Sequence, residues 1–216
     1  MSSIRSFAAP HKGLRHIISK FAIRLGHTDF GSPAQLAALK QLGLEMFTLL
    51  DDHVHTENEH TLKQLEERVP GASGHDVADH EKLETVQHSL AQKLSRFTGQ
   101  ETSEEIHQFY LAFSLFQSQY LEHIYEEETV TEVLLQQNFS DEELTGQRNQ
   151  IMQRLAFPTL LLWLKYIVPA QREEESLGML SGFKANAPQD AFGQVLAALK
   201  TELEDERYDS LMSKLA

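Results

Sequence analysis

Apolar residues recur every three or four positions along almost the whole chain, and nowhere do β-branched residues alternate with polar ones over the length of a strand. That period admits helices and little else, so the expected fold class is all-α. Breakers divide the pattern into long segments. A first helix is expected from about Pro10 to Leu25, with proline tolerated in the first turn and Gly26 at the end. After the loop HTDFGSP, a long second helix is expected from Ser32, an N-cap candidate before Pro33, to about Arg68, where Pro70 and Gly71 interrupt. Leu39, Leu42, Met46, Leu49 and Leu50 form its apolar stripe. A third helix is expected from about Asp76 to Phe97, with Val77, Leu83, Val86, Leu90 and Leu94 inward. A fourth starts at Thr102 or Ser103 and reaches about Gln137, carrying Phe109, Phe113, Phe116 and Tyr120 on one face. Four long helices with short connections fit an up-down-up-down four-helix bundle. Beyond Phe139, SDEEL opens an apolar helix expected to run through Trp163 to Val168 and to end at Pro169. Short amphipathic helices are expected around 172–182, 188–200 and 204–215. The expected organisation is therefore a bundle over 1–139 and additional C-terminal helices over 140–216, packed on or beside it.

Composition removes several functions. With 41% hydrophobic residues among 216, the chain supports one sizeable core. Its 19 basic and 32 acidic side chains leave a formal charge of -13, which repels nucleic acid and anionic membrane surfaces alike. There is no cysteine, so any metal must be held by nitrogen and oxygen, and no disulfide framework exists. The opening MSSIRSFAAPHKG lacks the apolar core of a signal peptide, and the longest apolar stretch is interrupted by Lys165. A cytoplasmic location without membrane contact is expected.

Histidine is distributed unevenly: all 11 lie at or before position 123. Two of them begin the same small pattern, His53 with Glu57 on the second helix and His123 with Glu127 on the fourth. Residues four apart stand one turn above each other on one helix face, so each pair can aim an imidazole and a carboxylate at a common point. His53 follows Met46, Leu49 and Leu50 at helical offsets, and His123 follows Phe116 and Tyr120, which places both pairs on buried stripes. A glutamate facing a bundle interior is costly unless paired or coordinated. Two such glutamates call for a two-metal site, with His11 on the first helix and His80 on the third as further ligands. Nitrogen and carboxylate donors point to iron first, with zinc, manganese or nickel as substitutes. His55 with Glu59 offers a rival register on the second helix: the upstream stripe favours His53 and Glu57, while Leu62 and Leu65 follow His55 as Val130 and Val133 follow His123. His16, His27, His60, His88 and His107 are expected at the surface or in loops, and Tyr120 near the metals.

The segments PHKGLRHII, DDHVHTENEHTLKQLEERVP, ADHEKLE and YLEHIYEEETVTEVLLQQNFSDEEL, with the helical tail beginning FPTLLLWLKYIVPAQREEESLGMLSG, resemble the hemerythrin-like (HHE cation-binding) domain proteins of the bacterial type over nearly the whole chain. The resemblance implies a non-haem di-iron centre, with an oxo or hydroxo bridge, held by His11, His53, Glu57, His80, His123 and Glu127. Oxygen-carrying hemerythrins differ: they are shorter, carry two close histidines on the third helix, and place an aspartate five residues beyond the last histidine. Here His75 and His80 are five apart and Glu128 stands five beyond His123, so oxygen transport is not implied, and either residue is open as a further ligand.

Three functions remain at this point. The first is a di-iron protein that binds oxygen or nitric oxide and serves sensing, iron storage or stress response. The second is an oxidase or peroxidase-like enzyme at the same centre. The third is a metal-free helical interaction module, which leaves the inward glutamates unexplained. The acidic C-terminal helices are expected to pack on the bundle or to mediate a homodimer.

Overall fold

A computed structural model describes residues 3–215; Met1, Ser2 and Ala216, at the outer ends of the two expected units, lie outside it. The chain is all-α, with nine helices and no strand among the described residues. Helix α1 spans Ala8–His27. Helix α2 spans 33–68 and is built of an α segment Pro33–Thr56, one π turn Glu57–Thr61 and an α segment Leu62–Arg68. Helix α3 spans Gly74–Arg96. Helix α4 spans 103–138 and repeats the construction of α2: Ser103–Glu126, a π turn Glu127–Thr131, then Glu132–Asn138. The five remaining helices are α5 (Asp141–Arg154), α6 (Phe157–Ala170), α7 (Glu173–Asn186), α8 (Gln189–Lys200) and α9 (Asp205–Leu215).

The four long helices close a ring in which α1 packs on α2 and α4, and α3 on α2 and α4. Leu14, Ile17, Phe21, Leu39, Met46, Leu50, Phe109, Phe113 and Phe116 fill its centre. The fourth helix begins with a capping box: Thr102 accepts from the Glu105 N–H while Glu105 reaches back to the Thr102 N–H. Gly71 and Gly99 sit at the two breaks with φ of 90° and 88°, a backbone region that side chains rarely tolerate.

The structure departs from the simple helical pattern at several points. On α3, Val86 is exposed and Gln87 turns inward, because Leu83, Gln87, Leu90 and Leu94 form the spacing that follows the helix face. On α4, Val130 and Val133 face outward while Thr131 and Leu135 are buried, since the π turn inserts an extra residue and shifts the phase of the stripe. The helix expected from SDEEL through Trp163 is two helices. Leu155 and Ala156 are extended, and Pro158 sits in the first turn of α6, where its missing N–H costs nothing, whereas in a continuous helix its ring would clash with the Arg154 carbonyl. Pro169 lies inside the last turn, which runs on to Ala170.

The C-terminal helices attach through α6, which lies along α1 and touches α2. Trp163 donates to Asp52 at 2.6 Å, and Lys165 and Tyr166 meet Glu45 at 2.6 and 2.5 Å. The approach of α1 and α6 is close enough to require glycine. A Cβ built on Gly13 lies 2.8 Å from the Ile167 side chain and 3.2 Å from its Cα, so backbone as well as side chain stands in the way. Gly13→Val is expected to destabilise the protein by about 1–3 kcal/mol through overpacking, read as a lower urea midpoint at unchanged slope.

Candidate metal centre

The six side chains named from the sequence converge between the four bundle helices. His11 and His80 are fully buried, and His53, Glu57, His123 and Glu127 are buried. His11 Nε2 lies 3.6 Å from Glu57 and 3.4 Å from Glu127; His53 Nε2 lies 3.3 Å from Glu57 and 3.9 Å from Glu127. From the opposite side, His80 Nε2 stands 3.5 Å from Glu57 and 3.4 Å from Glu127, and His123 Nε2 stands 3.3 Å from Glu127. These atoms face one another without forming hydrogen bonds. The Nε2 atoms of all four histidines, Glu57 Oε2 and both Glu127 oxygens are buried and unpaired. Buried polar atoms are rarely left so, and a set of them pointing at one small volume is the pattern a cation satisfies.

The donors fall into two groups whose ligand atoms lie within 4.8 Å of one another: His11, His53, Glu57 and Glu127 in the first, His80, His123 and Glu127 in the second. These buried groups could hold metal ions, with Glu127 common to both. The rival register is on the wrong face, as His55 and Glu59 are exposed. His75 is also exposed, bonded to Glu126 at 2.8 Å and near Asp79 at 3.4 Å, and does not join the buried donors. Of the remaining histidines, His27, His88 and His107 are exposed as expected. His16 and His60 are half-buried instead, His16 edge-on to Tyr166 and His60 beside Arg154.

Charge is distributed unevenly in this volume. Burial, and after it the neighbouring Glu127, push the Glu57 carboxyl well above the usual carboxylate range. Burial opposes ionisation of Glu127 too, but the surrounding imidazoles of His123 and His80 outweigh it and hold its carboxyl well below that range. Burial and the adjacent His11 lower His53, which keeps its imidazole neutral and its nitrogen lone pair free.

Side chains outside the expected ligand set orient the donors. His11 Nδ1 donates to Glu128 at 3.0 Å, and Arg15 holds the same carboxylate oxygen at 2.6 Å. His80 Nδ1 donates to Asn58 at 2.8 Å. Both bonds fix the tautomer that turns Nε2 toward the centre. Glu128 is therefore an outer partner of His11, and its carboxyl is lowered to about 2, because His11 and Arg15 outweigh partial burial. Phe7 stacks on the His11 ring at 5.2 Å, and Glu132 accepts from the backbone N–H groups of Ser6 and Phe7 at 3.1 Å, which ties the N-terminal segment over the site. Tyr120 is buried with an unpaired hydroxyl, its ring 6.3 Å from His53 and 6.2 Å from His123. Only Asn58 and Glu128 had a sequence signal: each is one residue beyond a paired glutamate. Glu128→Gln is expected to weaken metal affinity about 10–100-fold, measured by chelator competition, because it loosens His11 without removing a ligand.

Comparison with known proteins gives a distant likeness. The chain is 27% identical over 149 residues to F-box/LRR-repeat protein 5 of Danio rerio, a match covering 68% of this chain and 21% of that protein. It is 25% identical over 146 residues to F-box/LRR-repeat protein 5 of Xenopus tropicalis, covering 68% and 22%. The chain thus spans about a fifth of the length of the curated relatives it matches. No protein-family model and no solved structure matches it. No helix among the described residues is long and apolar enough to cross a membrane.

Proposed function

We propose that this chain is a hemerythrin-like, non-haem di-iron protein that binds a small diatomic ligand, oxygen or nitric oxide, in sensing, iron storage or stress response. The observation that carries this reading is the set of unpaired, buried imidazole nitrogens and carboxylate oxygens that divides into two groups sharing Glu127. His11, His53 and Glu57 would supply the donors for one iron and His80 and His123 those for the other, with Glu127 common to both donor groups. Iron bound there supplies coordination positions for a diatomic ligand. The chain's own contribution is to keep His53 neutral and to fix the ring orientations of His11 and His80 through Glu128 and Asn58. Four imidazoles against two carboxylates make a nitrogen-rich set, which favours reversible ligand binding over strong oxidation. Residues 1–139 form the metal-holding unit in this reading, and 140–216 a supporting extension.

Absorption in the near-ultraviolet and visible tests the proposal. Ferrous-loaded protein is expected to develop charge-transfer bands in air, to lose them on reduction, and to give a distinct spectrum with nitric oxide. Steady turnover of peroxide or an organic substrate favours the enzyme reading instead. Iron-loaded protein with no band under any of these conditions overturns both.

A further inference from the structure

A cavity of about 760 Å³ opens beside the metal centre, between the N-terminal segment and helices α2, α5, α6 and α7. That volume is in the range of small-molecule sites, and its lining is mostly apolar, with Leu144, Leu155, Leu160, Met179 and Phe183 on the walls. His53 and Glu57 form part of its inner surface, so whatever enters comes up against the donors described above.

Two glycines stand on one wall of the cavity. Helix α7 places Gly178 and Gly182 one turn apart on its wall, and a Cβ built at either position meets nothing within 4 Å. Glycine inside a helix is destabilising relative to alanine, and neither position needs it for close packing. Both positions leave room on the wall for larger side chains. The charges of the lining are also ordered. Asp52, toward the bundle, is engaged by Trp163 at 2.6 Å. Arg148 is exposed on α5, lines the cavity and has no carboxylate partner among the described residues, although acidic side chains outnumber basic ones by 32 to 19. An unpaired guanidinium at the outside and carboxylates at the inside orient an amphiphile with a negative head.

We propose that this cavity binds a small anionic amphiphile of the medium-chain carboxylate class, its head on Arg148 and its chain running past Gly178 and Gly182 toward His53 and Glu57. This site goes beyond the di-iron reading and does not require it, since Arg148, Gly178 and Gly182 lie on α5 and α7, outside the donor set.

The chain's single tryptophan, Trp163, lines the cavity and reports on it. In the full, metal-loaded chain, titration with dodecanoate below its micelle concentration is expected to change Trp163 emission saturably. Arg148→Ala is expected to weaken dodecanoate about tenfold, the loss of one charge-assisted contact, and to leave dodecanol unaffected. Gly178→Leu with Gly182→Leu is expected to abolish binding of both, while helicity by circular dichroism and metal content stay as in the wild type. Leucine is the better helix former, so this variant tests occupancy and not folding. An unsaturable response, equal binding by the double leucine variant, or indifference to Arg148→Ala overturns the proposal. Metal analysis of the same samples keeps its failure distinct from that of the di-iron reading.

Discussion

Metal-loaded protein is expected to unfold about 10 °C or more above the chelator-treated protein. A ligand at about a thousand times its dissociation constant stabilises the folded state by about 4 kcal/mol per site. For a chain of this size each kcal/mol moves the midpoint by about 2–4 °C. The structure explains why the effect is large. Without a cation, Glu57 and Glu127 oppose each other in a buried volume, and the Nε2 atoms of His11, His53, His80 and His123 have no partner. Cations in the two donor groups would satisfy these atoms in the folded chain, and an unfolded chain cannot assemble them. Differential scanning calorimetry with and without chelator, at fixed pH, reads the difference. Coincident transitions contradict this account of the bundle's interior.

The second large effect concerns the shared carboxylate. Glu127→Ala is expected to abolish loading of both metals, not one, because Glu127 belongs to both donor groups and is fully buried between them. The loss should exceed the about 10–100-fold penalty expected for an outer partner such as Glu128. Glu59→Ala and His55→Ala are the controls: the same residue types in the same spacing, on the exposed face, and expected to change nothing. Equilibrium loading followed by metal analysis separates the three. If Glu127→Ala keeps one tightly held metal, two independent sites replace the shared one.

The inward direction of the two histidine–glutamate pairs was legible from period, whereas His11 and His80 were reached from the need for donors on the other two helices and from the family resemblance. A histidine and a glutamate four apart, continuing a stripe of Met46, Leu49 and Leu50, can only face where that stripe faces. The π turns were not legible, because a spacing of four fits either geometry; only the phase after Glu127 distinguishes them, and it shows in Val130 facing out while Thr131 is buried. Gln87 was missed for a related reason. Its amide nitrogen donates to Asp51 on α2, a contact between distant segments that no local pattern encodes. The break at Leu155 and Ala156 did have a signal in Pro158, outweighed by the apolar run that follows. The outer partners Asn58 and Glu128 depend on how α1 and α3 sit against α2 and α4, which is a property of the packed bundle. The cavity is likewise tertiary: Gly182 reads in the sequence as the end of a helix over 172–182, whereas α7 runs through it to Asn186 and carries Gly178 and Gly182 on the cavity wall.

The most direct test of the central claim is the metal content of the chain, purified without affinity metal or chelator and loaded anaerobically with ferrous iron. Two donor groups sharing one carboxylate predict about two irons per chain, falling to near zero in the His53→Ala, His123→Ala double variant, which removes one imidazole from each group. Fewer than about 0.2 metal per chain after loading, or equal content in the double variant, contradicts the di-iron centre and leaves a helical bundle whose buried carboxylates serve another purpose.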